Sequence, residues 1–292
     1  NARFALVAPG EAPGAAGRIA VAANPTFEEA MAAFLSGRGE EVSEALVAAA
    51  GPVAAGAVQL VNAPWRIEGR AVSQALGGAP VHLFNDLEAV ALALPHLGEG
   101  TEPVRAGGGL AGAPRLALNI GTGFGASAAV PCRGGWTALA AEPGHIRLAA
   151  VTEAEWALLA FADRVEDVAS GPGLAKLHAR LSGLAEPLPP ADVVARVAED
   201  RAAAATVDLV IDLTARIAAD QVLATGAWDG LYLCGSVVES LAAAAPQRLA
   251  VGLDAALSRE VPIGERLAAV PVHRITHPDP ALLGLAMAQT PR

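Results

Sequence analysis

The sequence predicts an α/β protein, because short apolar runs typical of strands are mixed with longer stretches that have helical spacing. An amide and a carboxylate, Asn85 and Asp86, lie where an apolar strand passes into an apolar helical stretch. About thirty-five residues later a second strand runs into a glycine-rich loop, 119–125. Open α/β folds place ligands at such strand ends, so we expect the functional residues there.

The composition excludes several classes of function. The chain has 292 residues, 53% of them hydrophobic, and a formal net charge of −10, so one or two domains with a large core are expected. Nucleic acid and membrane surfaces bind basic patches on proteins, so the net negative charge of this chain argues against both as partners. Cys132 and Cys234 form neither a disulfide framework nor a zinc-ligand spacing. No run is apolar enough to span a bilayer, and a cytoplasmic enzyme is the expectation.

The elements follow in order along the chain. The first third predicts short strands at 3–7, 18–22, 44–50, 57–61 and 80–84, with helices at 27–35, 72–76 and 87–94. The Gly- and Pro-rich segment 98–114 predicts a loop or linker. Strands at 115–120 and 126–130 predict a β-hairpin with a glycine-rich tip. The remainder predicts helices at 153–162, 173–181, 190–197, 202–226 and 281–289, with strands at 231–234 and 272–275.

The glycine-rich loop is a candidate phosphate site. Gly121, Gly123 and Gly125 can adopt positive φ and let backbone N–H groups approach a phosphate, and Thr122 adds a hydroxyl donor. The loop joins two strands, so it is neither a Walker loop nor a dinucleotide fingerprint. An ordinary tight hairpin explains the pattern equally well.

Four further positions carry candidate chemistry. Asp86 can accept a proton from a hydroxyl that Asn85 holds, although an Asp before an apolar helix is also a good N-cap. Glu142 and His145 flank a Gly/Pro turn and suit sugar hydroxyls, and a plain surface turn is the alternative. Glu166 by itself is best interpreted as part of a solvated helix face.

Gly235 and Ser236 end the strand at 231–234. They are candidates for a flat platform under an adenine ring, or for a plain strand-to-helix turn.

The order of the motifs is more specific than any one of them. They occupy residues 1–6, 51–52, 62–65, 84–89, 121–125, 142–145, 166 with 170–173, 231–236 and 279–284. In this order they resemble the bacterial glucokinase family, whose members have the sugar kinase, actin and heat-shock chaperone ATPase fold. The resemblance implies a two-domain actin-like ATPase (ribonuclease H-like) fold with an interdomain cleft. The implied domains are a small one at 1–96 plus 279–292 and a large one at 97–278.

The resemblance also implies an activity, the ATP- and Mg²⁺-dependent phosphorylation of glucose. Asp86 would be the general base. The residues implied to bind the sugar are Asn62, Asn85, Asp86, Glu142, His145 and Glu166. The residues implied to bind ATP are Gly121, Thr122, Gly123 and Gly125 at the phosphates and Gly235 and Ser236 at the adenosine. A homodimer is among the expected assemblies, but the sequence does not determine the oligomeric state.

Three departures from the family pattern accompany the resemblance. The family's first phosphate motif, Asp-x-Gly-Gly-Thr, is not in the sequence, and we expect the natural protein to carry it on a strand before Asn1. Pro143 and Ser236 each replace a glycine. The departures leave open a sugar-binding relative without kinase activity, as well as a kinase for mannose or glucosamine. A related transcriptional repressor would need a DNA-binding helix pair and a cysteine-rich zinc motif, and the acidic chain argues against it.

Overall fold

The computed structural model describes residues 1–8, 10–60 and 63–288. Its strands are β1 Ala2–Phe4, β2 Gly17–Ile19, β3 Ala45–Ala49, β4 Val53–Ala54, β5 Ala57–Gln59, β6 Arg66–Glu68, β7 Val81–Asn85, β8 Thr101–Arg105, β9 Arg115–Ile120, β10 Phe124–Cys132, β11 Gly135–Ala141, β12 Gly230–Cys234 and β13 Val272–Ile275. Its α-helices are α1 Phe27–Leu35, α2 Gly69–Ala75, α3 Asp86–Ala93, α4 Glu153–Trp156, α5 Gly171–Ser182, α6 Pro190–Ala195, α7 Arg201–Thr225, α8 Ser236–Ala244, α9 Pro246–Leu257, α10 Gly264–Ala268 and α11 Pro280–Met287. Asn62, expected to bind the sugar, lies outside the described residues.

Most of the predicted elements form where the local pattern indicates. Helix α1 and strand β13 have the predicted bounds, and the hairpin of β9 and β10 is confirmed. The prediction of a loop over 98–114 is wrong in part, because β8 lies inside it. Strand β8 contains Pro103 and is the last strand of its sheet, and a proline is tolerated on an edge strand because its missing N–H leaves no central ladder bond unmade. None of the described helices is long and apolar enough to cross a membrane.

The chain divides into two compact units. The first comprises residues 1–98, 132–140 and 277–292, and the second comprises 99–131 and 141–276. In the first unit, β1 pairs with β2 in an antiparallel ladder, and β3 runs parallel to β7 with Ala49 opposite Asn85. Parallel strands end at the same edge of a sheet, so the segments that follow β3 and β7 are neighbours. The Asn85-Asp86 pair therefore lies beside Gly51.

Helices α3 and α11 of the first unit pack unusually closely. A Cβ atom at Gly284 would lie 1.7 Å from the carbonyl oxygen of Ala89, a distance that no side chain tolerates. The glycine is therefore required by the approach of the two helix backbones. Because α3 begins with Asp86, this contact also sets the position of the candidate base.

The second unit is built on a mixed sheet. Five of its strands run in the order β10-β9-β12-β13-β8. Strands β9, β12 and β13 are parallel, and β10 and β8 pair antiparallel at the two sides. Side chains of the central strands, such as Leu118 and Leu233, are buried in one cluster with residues of α5, α7 and α9. This core holds the carboxyl ends of β9 and β12 in register.

Candidate functional site

Two glycine segments meet at one edge of the second unit's sheet. Strand β9 runs parallel to β12 with Asn119 opposite Cys234, so the residues that follow both strands emerge side by side. A Cβ atom at Gly121 would be 3.6 Å from the backbone nitrogen of Ser236. The structure thus brings the predicted phosphate loop and the predicted adenosine segment together, at the strand ends where open α/β sheets bind ligands.

The loop glycines do not use positive torsion angles, and Gly123 lies in a space that a Cβ atom would have to share with another side chain. Positive φ was expected to be their use, but none of Gly121, Gly123 and Gly125 is among the described glycines with positive φ. A Cβ atom at Gly123 would lie 2.6 Å from Oε2 of Glu166. The N–H of Gly121 donates to the carbonyl of Gly123 at 3.0 Å, which closes a tight turn and leaves Thr122 exposed at its tip.

Glu166 contacts this loop directly. It belongs to a short 3₁₀ helix, Val165–Asp167, and is half-buried, so its interpretation as part of a solvated helix face is wrong. The N–H of Phe124 donates to Oε2 of Glu166 at 3.1 Å. The N–H of Gly171, at the start of α5, donates to the carbonyl of Gly121 at 2.7 Å. The segment from Glu166 to Gly171 therefore holds both ends of the loop.

The turn that carries Glu142 and His145 packs against the same place. Pro143 begins a 3₁₀ helix, Pro143–His145, where a fixed φ is suitable, so the replacement of a glycine is accommodated. A Cβ atom at Gly144 would be 2.2 Å from the carbonyl oxygen of Phe124 and 3.3 Å from Cβ of Glu166. The Glu142 and His145 side chains, on either side of Gly144, are exposed.

Gly235 and Ser236 form a turn between strand β12 and helix α8. This is the simpler of the two interpretations of the segment, the other being a platform under an adenine ring. Gly235 has φ of 104°, and a Cβ atom there would lie 2.4 Å from the carbonyl oxygen of Ile120, so no other residue fits. Ser236 is the first residue of α8, and no side chain caps this helix end. The first N–H groups of a helix are unpaired within it and carry positive potential, which suits an anion.

Asn119 is a residue at this edge that was not singled out from the sequence. Its Oδ1 would be 2.6 Å from a Cβ atom on Gly235, and the Cys234 thiol lies 3.8 Å from the same oxygen. Asn119 therefore packs against the Gly235 turn beside the start of the loop. Its position at the end of a strand directly before the glycines was the only local signal.

In the first unit the helix N-cap is Asn85 and not Asp86. Asn85 Oδ1 accepts from the N–H of Leu87 at 2.9 Å, and its own N–H donates to Oε2 of Glu88 at 2.8 Å, which completes a capping box. Its Nδ2 donates to the carbonyl of Gly51 at 3.2 Å. The side chain of Asn85 thus ties the ends of β3 and β7 together and orients the start of α3.

Asp86 is the first residue of α3 and is half-buried. Burial raises the pKa of its carboxyl above the ordinary 3.8, although hydrogen bonds from the backbone of Leu87 and of Asp86 itself act to lower it. The N–H of Leu87 lies 3.0 Å from Oδ1. A carboxylate with a raised pKa holds a proton more strongly, which improves a general base.

Within residues 1–8, 10–60 and 63–288, no three His, Cys, Asp or Glu side chains are arranged to hold a metal ion. Magnesium, however, commonly binds through one or two carboxylates together with substrate phosphates and waters. The glycine loop and the start of α8 provide backbone donors for such phosphates. The residues present therefore fit a nucleotide that brings its metal with it.

A comparison with families of known proteins matches this chain over nearly its whole length. The family model described as Glucokinase matches residues 1–291. The glucokinase of Cupriavidus pinatubonensis is 36% identical over 307 aligned positions, which cover 99% of this chain and 89% of the relative.

Solved structures agree in fold. The crystal structure of a glucokinase from an Antarctic psychrotroph has a TM-score of 0.84 at 28% identity and covers 98% of this chain and 94% of its own. A ROK family glucokinase from Streptomyces griseus, in complex with glucose and AMPPNP, has a TM-score of 0.60 at 19% identity, with 94% and 91% covered. The second likeness is one of fold alone.

Proposed function

Because the chain belongs to the glucokinase family, we propose that it transfers the γ-phosphoryl group of ATP to the 6-hydroxyl of glucose. The observation that carries the proposal is the meeting of the glycine loop, the Glu142 turn, Glu166 and the start of α8 at one sheet edge. The meeting of these segments, which lie more than a hundred positions apart in the sequence, supports the predicted site residues of the second unit. The proposed domains are those of the family, 1–96 plus 279–292 and 97–278.

Asp86 is the proposed general base. It would accept the proton of the 6-hydroxyl as the oxygen attacks the γ-phosphorus. Its raised pKa and its fixed position at the start of α3 support this role. Asn85 uses its side chain to cap α3 and to bind Gly51, so we propose that it acts mainly by orienting Asp86, with any sugar contact secondary.

The second unit supplies the remaining groups. Glu142, His145 and Glu166 would bind the other sugar hydroxyls, and Asn62 retains its proposed role from the sequence. The backbone N–H groups of Thr122 and Gly123, in the turn that the Gly121 N–H closes, and the first turn of α8 would hold the phosphates. Gly235 and Ser236 would contact the nucleoside side of ATP. Phosphoryl transfer depends mostly on positioning and charge neutralisation, and Mg²⁺ bound to the phosphates would neutralise part of their charge.

The proposal also covers the cellular compartment and the oligomeric state. We place the enzyme in the cytoplasm, the expectation from its composition. We also propose a homodimer. The apolar side chains of Val151, Trp156 and Leu159 are each exposed on the second unit, and large exposed apolar side chains are commonly covered in assemblies.

The test is a coupled assay on the purified protein. Glucose 6-phosphate formation is measured with ATP and Mg²⁺, with mannose and glucosamine as competing acceptors. We expect glucose to have the highest kcat/KM. Calorimetry with glucose and with AMPPNP runs beside it, and binding of glucose without nucleotide binding or turnover would favour the sugar-binding alternative instead.

A further inference from the structure

Glu166 has a contact that its proposed sugar role does not explain. Its Oε2 accepts the N–H of Phe124 at 3.1 Å and occupies the space beside Gly123, 2.6 Å from where a Cβ atom would be. A carboxylate that accepts a backbone N–H forms a charge-assisted hydrogen bond, stronger than one between neutral groups. One of the two carboxylate oxygens is therefore committed to the glycine loop.

The backbone that presents Glu166 is itself held in place. The Ser170 hydroxyl donates to the carbonyl of Glu166 at 2.7 Å and accepts the N–H of Gly173 at 3.1 Å as the N-cap of α5. Two residues before Gly173, the N–H of Gly171 donates to the loop carbonyl of Gly121. The entry of a twelve-residue helix thus anchors both the carboxylate and the opposite end of the loop.

Oε1 of Glu166 has a different environment. Among residues 1–8, 10–60 and 63–288, no hydrogen bond reaches this oxygen, and the side chain is only half-buried. The exposed Glu142 and His145 flank the same place, since Gly144 lies against Cβ of Glu166. One carboxylate oxygen of Glu166 therefore binds the loop, while the other is available to a ligand.

We propose that Glu166 is a positioning residue for the phosphate loop, which it holds through Oε2 while Oε1 contacts the sugar. The bond fixes the Phe124 N–H and with it the turn from Gly121 to Gly123, so that the loop is preorganised before nucleotide binds. A sugar bound at Oε1 orients the carboxylate and thereby favours the ordered loop. Glucose and nucleotide then strengthen each other's binding by the same factor, as linkage requires. The identities of both ligands rest on the proposed function.

The experiment compares Glu166→Ala, Glu166→Gln and Glu142→Ala in the full-length protein. Both alanine variants remove a proposed sugar contact, but only Glu166→Ala removes the acceptor of the Phe124 N–H. The amide oxygen in Glu166→Gln can still accept that bond, so this variant is the conservative rescue. Hydrogen exchange of the peptide containing 121–125 is measured without ligand, and AMPPNP and glucose affinities are measured singly and together.

For Glu166→Ala we expect loop exchange and the AMPPNP dissociation constant each to rise at least about tenfold, the size of a lost charged hydrogen bond. Coupling between glucose and AMPPNP, at least about fivefold in the wild type, should disappear. Glu142→Ala should leave loop exchange and sugar-free AMPPNP affinity within about twofold of wild type, and Glu166→Gln should lie close to wild type in loop exchange. Wild-type exchange and AMPPNP affinity in Glu166→Ala would overturn the proposal.

A second measurement covers the case in which Glu166→Ala does not fold. Gly123→Ala places a methyl group against Oε2 and should displace the carboxylate, so loop exchange should rise in this variant as well. Where Glu166→Ala does fold, a double-mutant cycle adds a further test: Gly123→Ala should weaken AMPPNP binding less when Glu166 is already alanine, because the clash is then absent. Wild-type loop exchange in Gly123→Ala, or strictly additive effects in the cycle, would contradict the contact.

Glucose affinity by itself separates this proposal from the proposed function. If neither Glu166→Ala nor Glu142→Ala weakens glucose binding, the sugar roles are wrong, while an altered loop would still support the positioning role.

Discussion

Gly284→Ala tests whether the contact between α3 and α11 sets the position of the candidate base. Helix propensity alone predicts that this substitution stabilises the protein by about 1 kcal/mol. The structure predicts instead that the substitution destabilises the protein. The new methyl carbon would be 1.7 Å from the Ala89 carbonyl oxygen and within 3.0 Å of two more backbone atoms, 2.8 Å from the Ala89 carbonyl carbon and 2.9 Å from the Ala93 nitrogen. Backbone atoms cannot rotate away, so one helix must move.

The size of the effect follows from that distance. Ordinary contact begins near 3.4 Å, so the helices must separate by about 1.7 Å. Overpacking of this kind costs about 1–3 kcal/mol, and the involvement of three backbone atoms favours the upper value. After subtraction of the propensity gain, we expect a net loss of about 2 kcal/mol, or about 3 °C in Tm for a chain of this size. A shift of Asp86 by about 1 Å should also lower kcat about a hundredfold.

The assay is thermal unfolding together with glucose phosphorylation, and Gly69→Ala is the matched control. Gly69 also lies in a helix of the first unit, but its nearest neighbour would be 3.5 Å from the new methyl, an ordinary contact. This control should change Tm by no more than about 2 °C. A Gly284→Ala protein with wild-type or higher Tm would refute the reasoning about the close helix contact.

Further predictions concern the site itself. Asp86→Ala should lower kcat at least about a hundredfold with a smaller loss of glucose affinity, and near-normal turnover would eliminate its role as base. Because the base must be ionised and burial raises the pKa of Asp86 above 3.8, kcat should fall with decreasing pH already above pH 3.8, an acid limb that a pH profile would reveal or exclude. Asn85→Ala should cost about 1–3 kcal/mol in chemical denaturation, from the lost cap and the lost bond to Gly51, whereas Asn24→Ala, which removes one exposed hydrogen bond to Ala20, should cost less than about 1 kcal/mol. Gly235→Ala should abolish AMPPNP binding, since its φ of 104° and the carbonyl of Ile120 exclude a methyl group, and retained affinity would contradict the arrangement of this turn.

The amino-acid sequence by itself determined the features that depend on neighbouring residues. The apolar spacing and the Thr26 cap were enough for helix α1, and the two short strands around the glycines were enough for the β9–β10 hairpin. The ordered motifs were enough for the family, because each carries a local chemical constraint and chance seldom reproduces their order. The N-cap of α3 was assigned from the sequence to Asp86, whereas Asn85 caps the helix in a capping box with Glu88, a local pattern that the sequence also contained.

Only the tertiary structure decided which distant segments meet. The pairing of Asn119 with Cys234 joins residues 115 positions apart in the sequence. The hydrogen bond between Glu166 and Phe124 joins residues 42 positions apart. Nothing local to Glu166 distinguishes a solvated carboxylate from one that accepts a backbone N–H, since the acceptor needs a donor that the fold alone delivers. Likewise nothing local to Gly123 indicates that the Glu166 carboxylate lies beside it, and nothing local to Gly284 indicates that the Ala89 backbone leaves no space there for a side chain. Propensity and periodicity act over a few residues, but close packing acts between whichever backbones the sheet and helices bring together.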